Sequence, residues 1–412
     1  MDIYITGIAQ TKLGRFPELS VKQLSKAAID AALADAVLSR NDIEAAWFSN
    51  VRQGQMEGQN SIRGQCALFS YGFSGIPIFN VENACASSSS ALFQAFCAVK
   101  SGLFKHVLVV GAEKMYYPNR REDMMNAFRG GTDIHELENT WQKLTRNNKA
   151  EKKSCAQKKW AKQSFFMDIY AHLACQHMKR YGLTQNQIAL AASKNHHNAR
   201  FNSFAQYRTP LSVEQVLESP LISWPLTRAM CAPISDGAAA LILSSANSIR
   251  EEQKKRAIRV RGMGIASTVQ RKPNDLAKHC VTLAAKRAYQ MANIQPKDIH
   301  VVEVHDATSS AEILQIENLG LCPQGQGGTF IESGAGHLDG QQPINPSGGL
   351  VSKGHPIAAT GLIQLYELST QLRGEAGERQ VKHARIGVAE NGGGFISHED
   401  AAAVVTVLDG ME

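Results

Sequence analysis

The chain has 412 residues, of which 43% are hydrophobic and 20% are charged, and its formal net charge is +7. This length predicts more than one ordinary hydrophobic core, and no apolar run reaches the roughly 18 residues that a membrane-spanning helix needs. The 8 cysteines are scattered without a C-x-x-C pair, which argues against a disulfide framework or a structural zinc site. Because the first residues also lack a signal-peptide pattern, we expect a cytoplasmic protein.

Strand-like and helical segments alternate in the first half of the chain. The sequence predicts a strand at ITGIAQT, a helix from Leu24 to Leu33 and a buried strand ending at Phe48. The segment VENACASSSSAL, at 81–92, then changes from an extended stretch to a helix, and the apolar strand HVLVVGAE follows. This alternation favours α/β layers with largely parallel pairing of the strands.

Cys85 is the first candidate catalytic residue, because it lies at the strand-to-helix junction of VENACASSSSAL. Unpaired N–H groups and the positive end of the helix dipole at such a junction both favour the thiolate. The small neighbours Ala84 and Ala86 leave room for an acyl group. The same pattern is also typical of a cysteine that is simply buried among small residues, so the rest of the chain has to decide.

Residues 114–230 form a polar, helical and basic excursion, and the chain returns from it through PISDGAAALIL. We expect an inserted lid or ligand-binding region there. Eight Lys or Arg residues and one Glu lie between Lys143 and Lys162. Such a run is typical of a solvated helical face and would also attract a polyphosphate ligand. Nucleic acid is a poorer match, because the run has little aromatic interleaving and no recognised binding module.

The second half of the chain repeats the order of the first. RVRGMGIAST is followed by a helix from Leu283 to Tyr289 and a buried strand ending at Val304. We therefore predict two similar halves, 1–250 and 258–412, joined by the charged segment SIREEQKKRA. GMGIAS, which starts at Gly262, is similar to a dinucleotide-binding loop, but it lacks the third glycine and a suitable helix start, which argues against a nicotinamide site.

NPSGGLVSKGHPIAATG, at 345–361, predicts a glycine-rich loop that enters a helix. Gly354 permits a tight backbone, and Pro356 suits the first helical turn. His355 would then lie at a helix N-terminus, where a neutral ring able to accept a proton is favoured, although it could merely cap the helix. If the halves pack about a pseudo-two-fold axis, His355 meets Cys85 and activates it as a nucleophile.

Two further loops follow predicted strands, VHDAT at 304–308 and ENGGG at 390–394. The glycines would let backbone N–H groups approach a ligand closely, as an oxyanion hole requires. His305 could direct a ring nitrogen at a carbonyl oxygen, or it could be an ordinary strand-end histidine. The candidate oxyanion and substrate-binding residues in these loops are Asp306, Asn391, Gly392 and Gly393.

Together these segments resemble the thiolase superfamily over essentially the whole chain, and within it the sterol-carrier-protein (lipid-transfer) type. The matching segments are GIPIFNVENACASSSSALFQAF, VLVVGAEKM, KNHHNARFNSFAQYR, PLTRAMCAPISDGAAALIL, VEVHDATSSAEILQIENLGL and NPSGGLVSKGHPIAATG. The resemblance implies a five-layer α/β/α/β/α fold of two duplicated halves, usually a homodimer, which binds acyl-coenzyme A. It implies coenzyme A thioesters as substrates, with no further cofactor and no metal.

The resemblance also implies a ping-pong mechanism. Cys85 would attack an acyl thioester and become acylated, while His355 takes its proton. His305 and His355 would bind the thioester oxygen of the enolate-forming substrate. Backbone N–H groups of Cys85 and of the loop near Gly393 would hold the oxygen of the acyl-cysteine, and coenzyme A should lie against residues 114–230.

One departure from the family pattern concerns proton transfer at the α-carbon. Thiolases normally use a second cysteine for this step, but the two positions where it would stand hold Ala307 and Glu390. Either Glu390 is the acid/base, since burial can raise a carboxyl pKa towards neutrality, or it is a loop carboxylate and the standard reaction has been lost. We favour the first, because Glu390 occupies the right position.

Three functions are compatible with these residues. The leading one is an acyl-CoA C-acyltransferase that forms or cleaves a 3-oxoacyl-CoA through acyl-Cys85. The second is an acyltransferase or lyase that acts on an unusual carbon acceptor or β-oxo thioester with a small zinc-ribbon/OB-fold partner subunit, as the missing second cysteine suggests. The third, a non-catalytic lipid- or acyl-CoA-binding protein, fits less well because Cys85, His305 and His355 are all retained.

Overall fold

The structure is a computed structural model that describes residues 1–145 and 164–410. Most of the basic run between Lys143 and Lys162 therefore lies outside the described residues. Within them, no helix combines the length and the apolar character that crossing a bilayer requires.

The β-strands set the frame of the molecule. In chain order, those of the described residues are β1 (Ile3–Gln10), β2 (Ala45–Ser49), β3 (Ile78–Val81), β4 (His106–Glu113), β5 (Leu221–Ser223), β6 (Leu226–Thr227), β7 (Gly237–Ser245), β8 (Ile258–Ser267), β9 (Val301–Glu303), β10 (Ile386–Gly393) and β11 (Ala402–Gly410).

The helices cover and separate the strands. Those of the described residues are α1 (Val21–Ala36), α2 (Gln53–Glu57), α3 (Arg63–Phe69), α4 (Ser87–Lys100), α5 (Arg121–Ala127), α6 (Leu137–Thr145), α7 (Phe165–Tyr181), α8 (Gln185–Ala199), α9 (Val213–Glu218), α10 (Glu251–Lys254), α11 (Cys280–Ala292), α12 (Ser309–Asn318), α13 (Gly327–Glu332) and α14 (Thr360–Leu372).

Nine strands form one mixed sheet in the order β3-β2-β4-β7-β1-β8-β11-β10-β9. Read outward from its centre, the sheet repeats itself, with β8-β11-β10-β9 matching β1-β7-β4-β2. The two parts meet through only two residue pairs, Tyr4 with Arg259 and Ile5 with Ile258.

The expectation of largely parallel pairing is wrong. β2 pairs in parallel with β3 and β4, and β9 with β10, but β7 is antiparallel to both β1 and β4. In the second part β11 is likewise antiparallel to β8 and β10. In each part, the strand that comes last in the chain lies between two strands that run the opposite way, so it adds two antiparallel pairings.

Apolar side chains on both faces of the strands explain the layers. In β4, Val107 and Val109 face one core while Leu108 and Val110 face another, and all four are buried. Strands that are covered on both faces read as nearly continuous apolar runs, as this one does.

Five layers result, as the resemblance implied. α1 covers the outer face of the first sheet part, and α11 covers that of the second. Between the two sheet parts lie α4 and α14, whose apolar side chains share one core with strands of both parts, among them Ile5 and Val404.

The segment GMGIAS belongs to β8 and serves packing. A Cβ added to Gly264 would lie 2.0 Å from the carbonyl oxygen of Ala284 in α11. Gly7 of β1 has the same relation to α1, since its Cβ would lie 2.2 Å from the carbonyl oxygen of Ala32. Glycine at both places lets a helix lie directly on a strand. This packing role explains the glycines of GMGIAS, so a dinucleotide-binding role is not needed.

Candidate active site

Cys85 lies in a tight turn between β3, which ends at Val81, and α4, which begins at Ser87. Ala84 adopts a left-handed conformation with φ of 48°, and the backbone N–H of Ser87 donates to the carbonyl oxygen of Ala84 at 3.1 Å. The expected strand-to-helix junction is therefore present, and it sets the thiol directly before the helix.

Cys85 meets two histidines from the other half of the chain. Its sulfur and a ring nitrogen of each of His305 and His355 all lie within 4.8 Å of one another. The two imidazole rings approach edge to face, with centroids 5.1 Å apart. The structure thus brings together the three side chains that the sequence singled out.

Burial dominates the ionisation of Cys85. Loss of water raises the pKa of its thiol to about 12, although the guanidinium of Arg52 and the backbone N–H of Gly394 oppose this rise. The expectation that the helix start favours a thiolate is therefore not met, because desolvation outweighs the helix N-terminus. A base that takes the proton is required.

His355 is suited to be that base. Burial first, and then the neighbouring His305 and Lys353, hold the pKa of His355 well below its ordinary value, so its ring is neutral. Its Nδ1 lies 2.7 Å from Oγ1 of Thr360, and that hydroxyl donates its own proton to the carbonyl oxygen of Pro356 at 3.1 Å. Nδ1 must then carry a proton and donate it to Thr360, which leaves Nε2 free to accept the proton of a thiol.

The local structure around His355 differs from the expectation in one respect. α14 begins at Thr360, after a 3-10 turn at Ile357–Ala359, so Pro356 precedes the α-helix and is not part of its first turn. Gly354 does have the expected special conformation, with φ of 113°. The backbone N–H of His355 is fixed by Oγ of Ser235 at 2.9 Å.

His305 is also buried, and burial lowers its pKa to about 4. The ring is therefore neutral at physiological pH. Its Nε2 has no hydrogen-bond partner among the described residues. A buried ring nitrogen without a partner is costly, which is consistent with a place for a ligand oxygen beside it.

Glu390 is wholly buried and stands behind His305. One carboxyl oxygen, Oε2, accepts the backbone N–H of His305 at 2.9 Å, and Oε1 has no partner among the described residues. Burial, followed by the nearby carboxyl group of Asp400, raises the pKa of Glu390 to about 8. The carboxyl group is therefore protonated at neutral pH, although it is not part of the cavity wall.

Asp306 and Asn391 have structural roles, contrary to expectation. Oδ1 of Asp306 accepts the backbone N–H of Leu350 at 2.7 Å, and Oδ1 of Asn391 accepts the hydroxyl of Ser89 at 2.8 Å. Both side chains are buried, and neither lines the cavity beside Cys85. They brace the two loops that carry the histidines and the glycines.

Within the glycine loop 390–394, the residue whose backbone N–H faces Cys85 is Gly394 and not the expected Gly393. A Cβ on Gly393 would lie 2.4 Å from the carbonyl oxygen of Asn83, and one on Gly392 would lie 2.5 Å from the carboxylate of Asp400. These two glycines allow close packing, whereas Gly394 lines the cavity and turns its N–H towards the sulfur.

A cavity of 780 Å³ opens in front of Cys85, and residues of the 114–230 segment form much of its wall. No acidic residue of the described parts of the chain lines it. Its positive charge comes from Arg15, Arg52, Arg121, Arg208 and Arg228. Sequence reasoning missed these arginines, because they are dispersed along the chain.

Among the residues that the structure describes, two groups of side chains could supply metal ligands. Cys85, His305 and His355 form one, and His279, Cys280 and Glu399 form the other. In the second group Glu399 already pairs with Arg271 at 2.6 Å, both side chains being buried. The sequence-based expectation of no metal stays a prediction.

Family models and relatives agree on the kind of protein this chain resembles. It matches the model "Thiolase, N-terminal domain" over residues 3–215 and "Thiolase C-terminal domain-like" over residues 262–407. An acetyl-CoA acetyltransferase of Methanothermobacter thermautotrophicus is 36% identical over 95% of this chain and 96% of its own. Sterol carrier protein 2 of Bos taurus is 33% identical over 94% of this chain and 69% of its own.

Solved structures share the fold at lower identity. A structure described as an Ltp2-ChsH2(DUF35) aldolase matches with a TM-score of 0.76 at 20% identity, covering 99% of this chain and 98% of that one. Human mitochondrial 3-ketoacyl-CoA thiolase matches with a TM-score of 0.71 at 16% identity, covering 100% and 99%.

Proposed function

Because the chain belongs to the thiolase family, we propose that this acyltransferase forms or cleaves the carbon–carbon bond of a 3-oxoacyl-CoA through an acyl-Cys85 intermediate. The observation that carries the proposal is the approach of Cys85, His305 and His355 to within 4.8 Å of one another. The enzyme works in the cytoplasm as a homodimer, and coenzyme A thioesters are its substrates without a further cofactor.

In the first half-reaction the thiol of Cys85 attacks a carbonyl carbon. His355 accepts the thiol proton at Nε2, which the bond from Nδ1 to Thr360 leaves free. The backbone N–H of Gly394 donates to the oxygen that becomes negative, because a donor fixed in advance stabilises the developing charge. When coenzyme A is the leaving group, its sulfur takes the proton back from His355.

Glu390 moves the proton at the α-carbon in the half-reaction that cleaves or forms the carbon–carbon bond. In the cleavage direction, the bond between the α- and β-carbons breaks and leaves an acyl-Cys85 and a thioester enolate. His305 and His355 hold the enolate oxygen, and protonated Glu390, which lies outside the cavity wall, moves towards the carbon and gives it its proton. When coenzyme A then attacks acyl-Cys85, Glu390 takes the proton of its thiol and His355 returns its own proton to the sulfur of Cys85. A pKa of about 8 supports this role, since the carboxyl group keeps its proton at neutral pH.

A second function has its own support. Positions 307 and 390 hold no cysteine, and a protein with the same fold is described as an Ltp2-ChsH2(DUF35) aldolase, a name that includes a second component. In this alternative, the enzyme transfers its acyl group to an unusual carbon acceptor, or cleaves an unusual β-oxo thioester, with a small zinc-ribbon/OB-fold subunit. Activity that appears only when such a subunit is added would favour it.

The acyl-enzyme is tested by intact mass. After incubation with acetyl-CoA or a 3-oxoacyl-CoA, the protein should gain the mass of one acyl group, located on Cys85. Cys85→Ser should remove this gain, whereas Cys97→Ser, at an exposed cysteine, should keep it. An unchanged gain of mass in Cys85→Ser would rule out the mechanism.

Glu390→Gln separates the two half-reactions. Gln keeps the size of the side chain but cannot exchange the proton, so acylation of Cys85 by acetyl-CoA should persist while cleavage of the carbon–carbon bond of a 3-oxoacyl-CoA falls by about 100-fold or more, as expected for loss of a general acid. Turnover close to that of the unmodified enzyme would remove Glu390 from proton transfer.

A further inference from the structure

Arg52 is a buried cation in the wall of the cavity that contains Cys85. Only 5% of its surface is exposed. Its Nη1 donates to Oε1 of Gln55 at 3.0 Å and to the carbonyl oxygen of Ala127, and the guanidinium lies 5.0 Å from the ring centroid of Phe128. Its Nε has no partner among the described residues.

No carboxylate of the described residues lies within ion-pair distance of Arg52. The nearby Glu113 interacts with it electrostatically, but its oxygens accept the backbone N–H groups of Val51, Arg52 and Ala358 and the side chain of Asn50. Burial also raises the pKa of Glu113 to about 7, so this group is only partly charged at neutral pH.

A buried charge without a partner costs several kcal/mol. Arg52 is therefore a cation in the wall of the cavity that no side chain of the described residues pairs with directly and that Glu113 neutralises only in part. An anionic ligand would supply the missing partner, and a guanidinium fits a carboxylate in particular, because its planar N–H groups match the two oxygens.

The position of Arg52 indicates that it contacts the acyl group of the substrate and not the nucleotide of coenzyme A. The other arginines of the wall, Arg15, Arg121, Arg208 and Arg228, are exposed, as groups that meet the phosphates of coenzyme A in solvent should be. Arg52 is buried and lies close enough to Cys85 to act on the charge of its sulfur. Arg52 and Cys85 also line the same cavity, and since the sulfur carries the acyl group, the acyl group shares that cavity with Arg52.

We propose that Arg52 binds a carboxylate carried by the acyl group, and that the preferred acyl donors are thioesters of short dicarboxylic acids. This inference rests on the proposed acyl-Cys85 intermediate and names its substrate class. The acyl transfer itself is unchanged: the thioester bond to coenzyme A breaks, a thioester to Cys85 forms, and the distal carboxylate stays ionised against Arg52.

Succinyl-CoA and butyryl-CoA test the proposal, because they have the same chain length and differ by a carboxylate in place of a methyl group. The rate of Cys85 acylation is measured for each by intact mass. The unmodified enzyme should prefer succinyl-CoA by about tenfold or more, the scale of one charge-assisted contact. Arg52→Met should lose this preference, and Arg52→Lys should keep part of it.

Arg208, an exposed arginine of the cavity wall, provides a matched control. Arg208→Met should slow acylation by both thioesters to the same extent, because it removes a contact to their common coenzyme A part. A thermal unfolding curve establishes that each variant is folded, and the preference of the unmodified enzyme does not depend on any variant.

Several results would overturn the inference. Equal rates for the two thioesters in the unmodified enzyme would do so, as would an equal loss for both in Arg52→Met, which would limit Arg52 to the charge of the sulfur. If acetyl-CoA and butyryl-CoA acylate Cys85 but succinyl-CoA does not, the carboxylate site is wrong while the proposed function stands. If no thioester acylates Cys85, both fail.

Discussion

Several buried carboxyl groups near the catalytic side chains hold their protons unusually firmly. Burial raises the pKa of Glu113 to about 7, that of Glu390 to about 8 and that of Asp400 to about 7. In the unfolded chain such groups release their protons near pH 4. Between these pH values the folded protein binds more protons than the unfolded one, so the groups reduce stability as the pH rises.

Glu390→Gln should therefore become more stable relative to the unmodified protein as the pH is raised from 5 to 8. Gln mimics the protonated carboxyl group, and each pH unit in this window should widen the difference in unfolding free energy by at most about 1.4 kcal/mol. Chemical denaturation at pH 5, 6.5 and 8 measures it. The exposed Glu18 supplies the control variant Glu18→Gln, whose stability relative to the unmodified protein should change little with pH. If the stabilities of the two variants change with pH in the same way, the pKa of Glu390 is not raised by burial.

Sequence patterns revealed the reacting side chains but not the residues that surround them. Cys85 and His355 each lie in a run of small residues and glycines close to a helix start. Such a run can be recognised from the sequence alone. Arg52 has no such signal, since its position depends on Ala127 and Phe128, far along the chain. The one-residue difference between Gly393 and Gly394 could not be seen either, because it depends on where β10 ends.

At the scale of elements, a buried ionic network supports the turn that precedes His355. Nζ of Lys353 lies 2.6 Å from Oε2 of Glu303 and 2.7 Å from Oγ of Ser347, and all three side chains are buried. Asp306 holds the same turn through the backbone N–H of Leu350. The position of His355 therefore depends on the buried ion pair between Lys353 and Glu303.

Lys353→Met should cost about 3–5 kcal/mol of stability, because it leaves the carboxylate of Glu303 buried without its partner. The double variant Lys353→Met with Glu303→Leu removes both charges and should recover much of this loss. Unfolding free energies of the two single variants and the double variant measure the coupling. If the two single losses simply add, the network does not hold the turn.

The contact between β8 and α11 makes a second prediction at this scale. Gly264→Ala should destabilise the protein by about 1–3 kcal/mol, as overpacking does, because its Cβ meets the backbone oxygen of Ala284 at 2.0 Å. Gly387→Ala is the matched control, since the nearest atoms to its Cβ belong to the side chains of Leu368 at 3.3 Å and Val301 at 3.5 Å and not to a backbone. Equal melting temperatures for the two variants would argue against a direct helix-on-strand contact.

At the scale of the molecule, the repeated strand order follows the duplication that the sequence predicts, whereas the strand directions do not. Alternating strands and helices indicate crossovers, but they do not reveal that β7 returns between β4 and β1 after a long excursion. The place of β7 in the sheet depends on tertiary contacts, which local sequence patterns do not contain. The boundaries of the two halves, 1–250 and 258–412, stay a prediction.

One edge of the sheet indicates how two copies could meet. β3 ends the strand order, its Phe79 is 44% exposed, and the ring stacks on Trp47 at 4.8 Å. Unpaired edges with exposed apolar side chains are prone to pair with another chain. We expect the protein to sediment as a dimer and Phe79→Lys to shift it towards a monomer. An unmodified protein that sediments as a monomer would contradict the homodimer.

β11 follows every other described element in the chain, yet it lies between β8 and β10 in the interior of the second sheet part. While a ribosome is still making residues 402–410, Cys85 has long since emerged, but the strand that braces the glycine loop of β10 has not. The pairing of β10 with β11, which includes Gly392 and Gly393, can therefore form only after residues 402–410 have been made.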